Sequence, residues 1–220
     1  MSNDAVFEAN WLEEQLNEIF GATEVSNLIQ LSGGANRETW SFEAITKEKQ
    51  RSLIMQIDRG GMDRLHGTCE RESRILQIAK LNGVPVPTVI ASGFSENAGN
   101  RSFSITEKMQ GETIARKILR DAQWQNARKN LIHDMTKALA SIHKIDKSHF
   151  KGIELSDIRD PLSSLESIYE ALDDPHPTFD YAFRWLRANQ PEISESTFIH
   201  GDFRLGNLLI DTSGLNAVLD

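Results

Sequence analysis

The residues equipped for chemistry gather towards Asp220. An apolar step at Phe198-Ile199 leads into the polar loop His200-Gly201-Asp202-Phe203-Arg204-Leu205-Gly206-Asn207, and a second apolar run, Leu208–Ile210, leads out of it. Asp211-Thr212-Ser213-Gly214 has turn composition, and Leu215–Leu219 forms a third run. If the last two runs pair as a hairpin about that turn, Asn207 and Asp220 return to the same end, with Asp202 one loop away. Two carboxylates and an amide oxygen then converge, and hard oxygen ligands of this sort suit Mg²⁺. A carboxylate that orients a hydroxyl and accepts its proton, beside an amide and a second carboxylate that hold metal on phosphates, is what phosphoryl transfer needs. The plainer alternative is a hairpin whose Asp and Asn only make turns and caps. The full spacing from His200 to Asn207, together with Asp220, argues for the chemical reading.

Those residues need elements to hold them. Asp4–Phe20 places Leu12, Leu16, Ile19 and Phe20 at helical spacing, stopped by Gly21. Strand-like runs follow at Leu28–Ser32, Thr39–Thr46 and Ser52–Ile57, with Lys47-Glu48-Lys49-Gln50 as a turn. The pattern is helical from Cys69 to Leu81 and ends at Val84-Pro85-Val86-Pro87, because proline blocks continuation. Two more runs, Thr88–Ser92 and Ser102–Glu107, complete an expected antiparallel sheet of five strands with one inserted helix. Beyond Gly111 the chain is helical: a long segment, Gln123–Ile145, striped by Leu131, Met135, Ala138, Leu139 and Ile142, then Leu162–Leu172 and Thr178–Ala188. The organisation read from this is an N-terminal helix over 1–22, a sheet lobe over 23–108 and a helical lobe over 109–220. The last carries the catalytic loop 198–207 and the metal-binding hairpin 207–220.

The H-x-D-x-x-x-x-N spacing from His200 to Asn207 matches the kinase catalytic loop. With Gly201 after the histidine and Val218-Leu219-Asp220 after the hairpin, the segment resembles the aminoglycoside-phosphotransferase and choline-kinase-like family. Its wording looks like the broad branch that includes kinase domains of acyl-CoA dehydrogenase fusions. The resemblance runs from about Leu31 to Asp220 and implies an α+β, protein-kinase-like fold of two lobes. It implies ATP and Mg²⁺ as cofactors and a small-molecule hydroxyl as acceptor, with Asp202 as catalytic base and Asn207 and Asp220 as metal ligands. Ser32, Gly33, Gly34, Ala35 and Asn36 would form the turn over the phosphates. Glu72 would be the cleft-facing helix glutamate, and the backbone of Glu107 and Met109 would meet the adenine edge. His200 and His143 are read as structural. Family members continue past the metal aspartate with further helices, so a longer protein is expected, and the 220-residue piece alone is expected to be unstable and inactive.

One position departs from the family. Its third strand carries a Lys or Arg that pairs phosphates with the helix glutamate, and Leu53-Ile54-Met55-Gln56-Ile57-Asp58-Arg59 puts Gln56 there. A neutral amide forgoes a charge-assisted bond, roughly twice as strong as a neutral one. Arg59 and Arg204 are the candidate substitutes for that charge, and a non-catalytic nucleotide-binding pseudokinase is the alternative reading. The chain lacks the G-x-x-x-x-G-K-[ST] of P-loop proteins. Its formal charge of −8 argues against a broad nucleic-acid surface. The single cysteine, Cys69, permits no intrachain disulfide and is read as a buried small residue. The histidines show no zinc-ligand spacing. The four tryptophans are expected to pack. With neither a leader pattern nor a membrane-length apolar run, the expectation is a cytoplasmic protein without membrane or nucleic-acid partners.

Overall fold

The computed structural model describes residues 3–31, 37–59, 68–95, 101–153, 155, 161–192 and 196–219. Helix α1 (Asn3–Phe20) precedes strands β1 (Glu24–Leu31), β2 (Arg37–Ile45) and β3 (Gln50–Asp58). Helix α2 (Cys69–Leu81) leads to β4 (Val89–Ser95) and β5 (Arg101–Glu107), and the sheet order is β1-β2-β3-β5-β4, with every neighbouring pair antiparallel. The α+β class and the five-stranded sheet with its inserted helix agree with the sequence reading. Strands run further than expected where polar residues extend the apolar runs; β3 gains Gln50-Arg51 and Asp58 because ladder pairing with β2 satisfies their backbone.

The pleat sorts β3 between two faces. Leu53, Met55 and Ile57 point to a core shared with Trp11, Leu12 and Leu16 of α1, Phe42 and Ala44 of β2, and Phe103 and Ile105 of β5. Burying each large side chain of this kind contributes about 1.5–3 kcal/mol. The alternate residues, Gln56 and Asp58, share the opposite face with Arg37 and Thr39 of β2, their cross-strand partners. Helix α2 packs on that face: the Ser73 hydroxyl donates to Ser104 of β5 at 2.8 Å. Its start is held by the Thr68 side chain, which accepts the Arg71 N–H, and by Asp58, which accepts the Cys69 N–H at 3.1 Å.

The helical part contains α3 (Ala115–Arg120), α4 (Gln125–His143), α5 (Pro161–Ala171) and α6 (Pro177–Ala188), followed by the hairpin β6 (Leu208–Ile210) and β7 (Leu215–Val218). Helix α3 escaped the sequence reading, being too short for a periodic stripe; it is fixed by burial of Ile118. A second core joins Ala127, Leu131, Ala138 and Ile142 of α4 to Leu208, Ile210 and Val218, and takes in Ala79, Val84 and Val86 from the end of α2. The α2 terminus therefore ties the sheet lobe to the helical lobe. The linker between them crosses β6 at Gly111, where φ is 151° and an added Cβ would stand 3.1 Å from the Ile210 carbonyl oxygen. Glu112 and Ile210 then exchange both backbone hydrogen bonds.

Helices α5 and α6 bury no residue and touch each other through Tyr169, Phe179 and Phe183. Trp185 on α6 is 54% exposed, which corrects the expectation that all four tryptophans pack. No helix among the described residues is long and apolar enough to cross a membrane.

Candidate active site

The loop between α6 and the β6–β7 hairpin is organised by short-range bonds. Gly201 sits at φ 88°, a left-handed turn that glycine adopts without steric cost, and this reverses the chain between His200 and Asp202. His200 Nε2 lies 3.1 Å from the Leu219 carbonyl oxygen, so the imidazole braces the loop against the end of β7. Asn207 is 7% exposed and donates through Nδ2 to both the Asp202 carbonyl oxygen and Asp202 Oδ2, each at 2.9 Å. Arg204 Nε donates to the same Oδ2 at 2.9 Å. The Arg204 bond, opposed by burial and reinforced by Asn207, holds the Asp202 carboxyl below the ordinary aspartate value. Asp202 is thus a charged carboxylate with Oδ1 left for another partner.

The hairpin closes as its composition suggested. Leu208 pairs with Val218, and the Leu219 N–H donates to the Asn207 carbonyl oxygen at 2.8 Å. The residue preceding Asp220 is therefore bonded to Asn207, while Asp220 itself lies outside the described residues. Asn207 has both Nδ2 hydrogens committed to Asp202, which leaves Oδ1 as its remaining side-chain polar atom. The Asn207 amide oxygen is a hard donor of the kind Mg²⁺ takes and so fits that ion, while the Asp202 carboxylate on the same loop stays exposed. Among the described residues no group of three or more His, Cys, Asp or Glu side chains forms a metal cluster.

A second polar cluster lies on the α2 face of the sheet. Glu72 is held by Arg37: Nη2 donates to Oε1 at 2.8 Å and Nη1 to Oε2. Arg37 Nε also donates to Asp58 Oδ1 at 3.3 Å. Burial alone would pull the guanidinium's pKa down, but the Glu72 hydrogen bond and the surrounding negative charges outweigh it and push it up. Asp58 further accepts the Cys69 thiol at 3.0 Å. Burial first, then that bond, pushes the thiol up, which suits the buried and unreactive Cys69 read from sequence. Gln56 is half-buried on this face, opposite Thr39 on one side and Ser104 on the other. Arg59 is exposed just past the end of β3.

At the end of β5 the Glu107 N–H is already bonded to the Thr88 carbonyl oxygen at 2.9 Å. Lys108 reaches back across the sheet face, its Nζ donating to Ser41 at 2.8 Å. Ser32, Gly33, Gly34, Ala35 and Asn36 lie outside the described residues.

Against known proteins, the model of the phosphotransferase enzyme family matches residues 27–220. The chain belongs to that family. Among its relatives is mouse (Mus musculus) acyl-CoA dehydrogenase family member 10, 26% identical over 220 aligned positions, covering 95% of this chain and 20% of the relative. A solved structure from Ralstonia eutropha JMP134, described as a "putative aminoglycoside phosphotransferase", superposes with a TM-score of 0.64 at 22% identity. It covers 100% of this chain and 64% of the solved one. The chain thus spans a fifth of the curated relative and under two thirds of the solved structure. At that identity the superposition establishes the kinase-like fold and nothing finer.

Sequence reasoning brought Asp202, Arg204 and Asn207 to one loop and Glu72 to the sheet face. It missed Arg37 and Lys108 as members of the same surface. The signal for Arg37 was present: a basic residue opens the strand that follows Gly33-Gly34 in the sequence, and hairpin pairing of β2 with β3 sets it opposite Asp58.

Proposed function

We propose that the protein is an ATP-dependent phosphotransferase that phosphorylates a hydroxyl group of a small molecule in the cytoplasm. The observation that carries this reading is the pair of hydrogen bonds from Asn207 to Asp202, on a loop whose hairpin returns Leu219 to the Asn207 backbone. Asp202 serves as the base: its free carboxylate oxygen takes the acceptor's proton as the phosphoryl group transfers. Asn207 Oδ1 and the carboxylate of Asp220 are the ligands for Mg²⁺, which neutralises charge on the nucleotide phosphates when bound. The Ser32–Asn36 turn covers the phosphates, and the backbone of Glu107 and Met109 meets adenine. The net charge of −8 is in keeping with a small-molecule acceptor and with no nucleic-acid partner.

Calorimetric titration of Mg·ATP into the protein and into an Asp220→Ala variant tests the assignment. Metal-dependent binding that disappears in the variant is expected; no binding by folded wild-type protein overturns it. Gln56 motivates the second reading, a nucleotide-binding pseudokinase. Mg·ATP binding with no ADP formed across a broad panel of hydroxyl compounds would select that one.

A further inference from the structure

The phosphate site of a kinase-like fold draws on a cation from β3, and in this chain that position is Gln56. The geometry points to Arg37 as its replacement: we propose that a β2 arginine both holds the α2 glutamate and contacts the nucleotide phosphates. This rests on the ATP-dependent reading above and names a residue within it.

Three observations support the assignment. Arg37 stands opposite Asp58 in the β2–β3 ladder, and Thr39 stands opposite Gln56, so Arg37 and Gln56 are diagonal neighbours on one face. Such neighbours are roughly 7–8 Å apart, a gap that the long arginine arm covers. Next, Arg37 makes the ion pair that defines the missing residue's work, gripping both oxygens of Glu72. The third observation is donor arithmetic. A guanidinium has five N–H groups, and the bonds to Asp58 and Glu72 use one each on Nε, Nη1 and Nη2. One N–H on Nη1 and one on Nη2 remain without a partner among the described residues; Glu72 holds the parallel Nη1/Nη2 pair, so these two point from opposite edges of the guanidinium and each suits one phosphate oxygen.

Neither candidate named from sequence does this. Arg204 is engaged with Asp202, and Arg59 lies beyond the strand end on the exposed side. The anchoring is asymmetric as well. Glu72 and Asp58 fix the guanidinium from two sides before any nucleotide arrives, so its side chain, 13% exposed, is preorganised.

The test compares Mg·ATP, by calorimetry, with adenosine, by ligand-observed NMR, in wild type, Arg37→Gln and Arg37→Lys. Loss of charge-assisted contacts in Arg37→Gln is expected to weaken Mg·ATP about 30-fold while adenosine affinity stays within about twofold. Arg37→Lys keeps the charge and loses the donors that let one side chain hold Glu72 and reach a phosphate together, so it should fall between and provides the same comparison if Arg37→Gln does not fold. On unaltered protein, the Arg37 guanidinium ¹⁵N resonances should shift with Mg·ADP and not with adenosine. Unchanged Mg·ATP affinity in the variants, with wild type binding normally, overturns the role of Arg37 and leaves the phosphotransferase reading intact. Parallel loss of ATP and adenosine makes Arg37 a purely structural residue, which also overturns it. Absence of nucleotide binding by wild type overturns the phosphotransferase reading itself.

Discussion

Two polar clusters stand out among the described residues, and they are built in opposite ways. Arg37, Asp58 and Glu72 come from β2, β3 and α2, and their side chains are 13%, 7% and 26% exposed. Asp202, Arg204 and Asn207 come from a single loop, and the first two are 62% and 64% exposed. The same kind of ion pair therefore does different work. In the buried cluster, charges attract through a less polar medium and each loses much if its partner goes. In the loop, water screens the Asp202–Arg204 pair, so it can part to admit a substrate at little cost. Rigidity is placed where a helix is held, and the carboxylate proposed as the base is left exposed.

The sharpest way to probe that contrast is Asp202→Asn. Phosphoryl transfer should fall by about 10³-fold, in the range of a lost general base, while the melting temperature stays unchanged. Loss of structure together with activity would mean that the loop is a stability element after all. The mirror experiment is Asp58→Ala, which strips an acceptor from the Cys69 N–H, the Cys69 thiol and Arg37. Urea denaturation should show about 3 kcal/mol of lost stability, as for breaking a buried pair; a loss below about 1 kcal/mol would place the cluster with surface pairs.

A subtler effect concerns pH. Arg204 chiefly, with Asn207, keeps the Asp202 carboxyl low, and the base works when deprotonated. Wild-type activity should therefore persist as pH falls through the ordinary aspartate range, and Arg204→Ala should move the acid limb of the kcat/KM profile upward. An unmoved limb would show that the ion pair opens in the working enzyme. The smallest expected effect is at Cys69, whose thiol is fully buried and pushed up. Iodoacetamide should leave it unmodified in native protein at pH 8 and react once urea opens the cluster; rapid native labelling would mean that the α2 start is loose.

The loop was legible in sequence because its parts are close in the chain. Eight residues from His200 to Asn207 and one turn at Asp211–Gly214 suffice to join Asp202, Asn207 and the end of β7, and local hydrogen bonds complete the geometry. Helix α2 was legible for a similar reason: Thr68 caps it, Glu70 and Glu72 favour its first turn, and Gly83, at φ 79°, ends it before the prolines are reached. Helix α3 was not, since a six-residue element has too little periodicity to declare itself.

The type and spacing of residues in this chain determined its class, its alternation of sheet and helix, and the convergence of the catalytic loop, because those depend on side-chain period and near neighbours. Only the tertiary structure decided which cation meets Glu72. Arg37 lies 35 residues from it along the chain, and the choice depends on the β2–β3 register: a one-residue slip would turn Arg37 to the α1 core face.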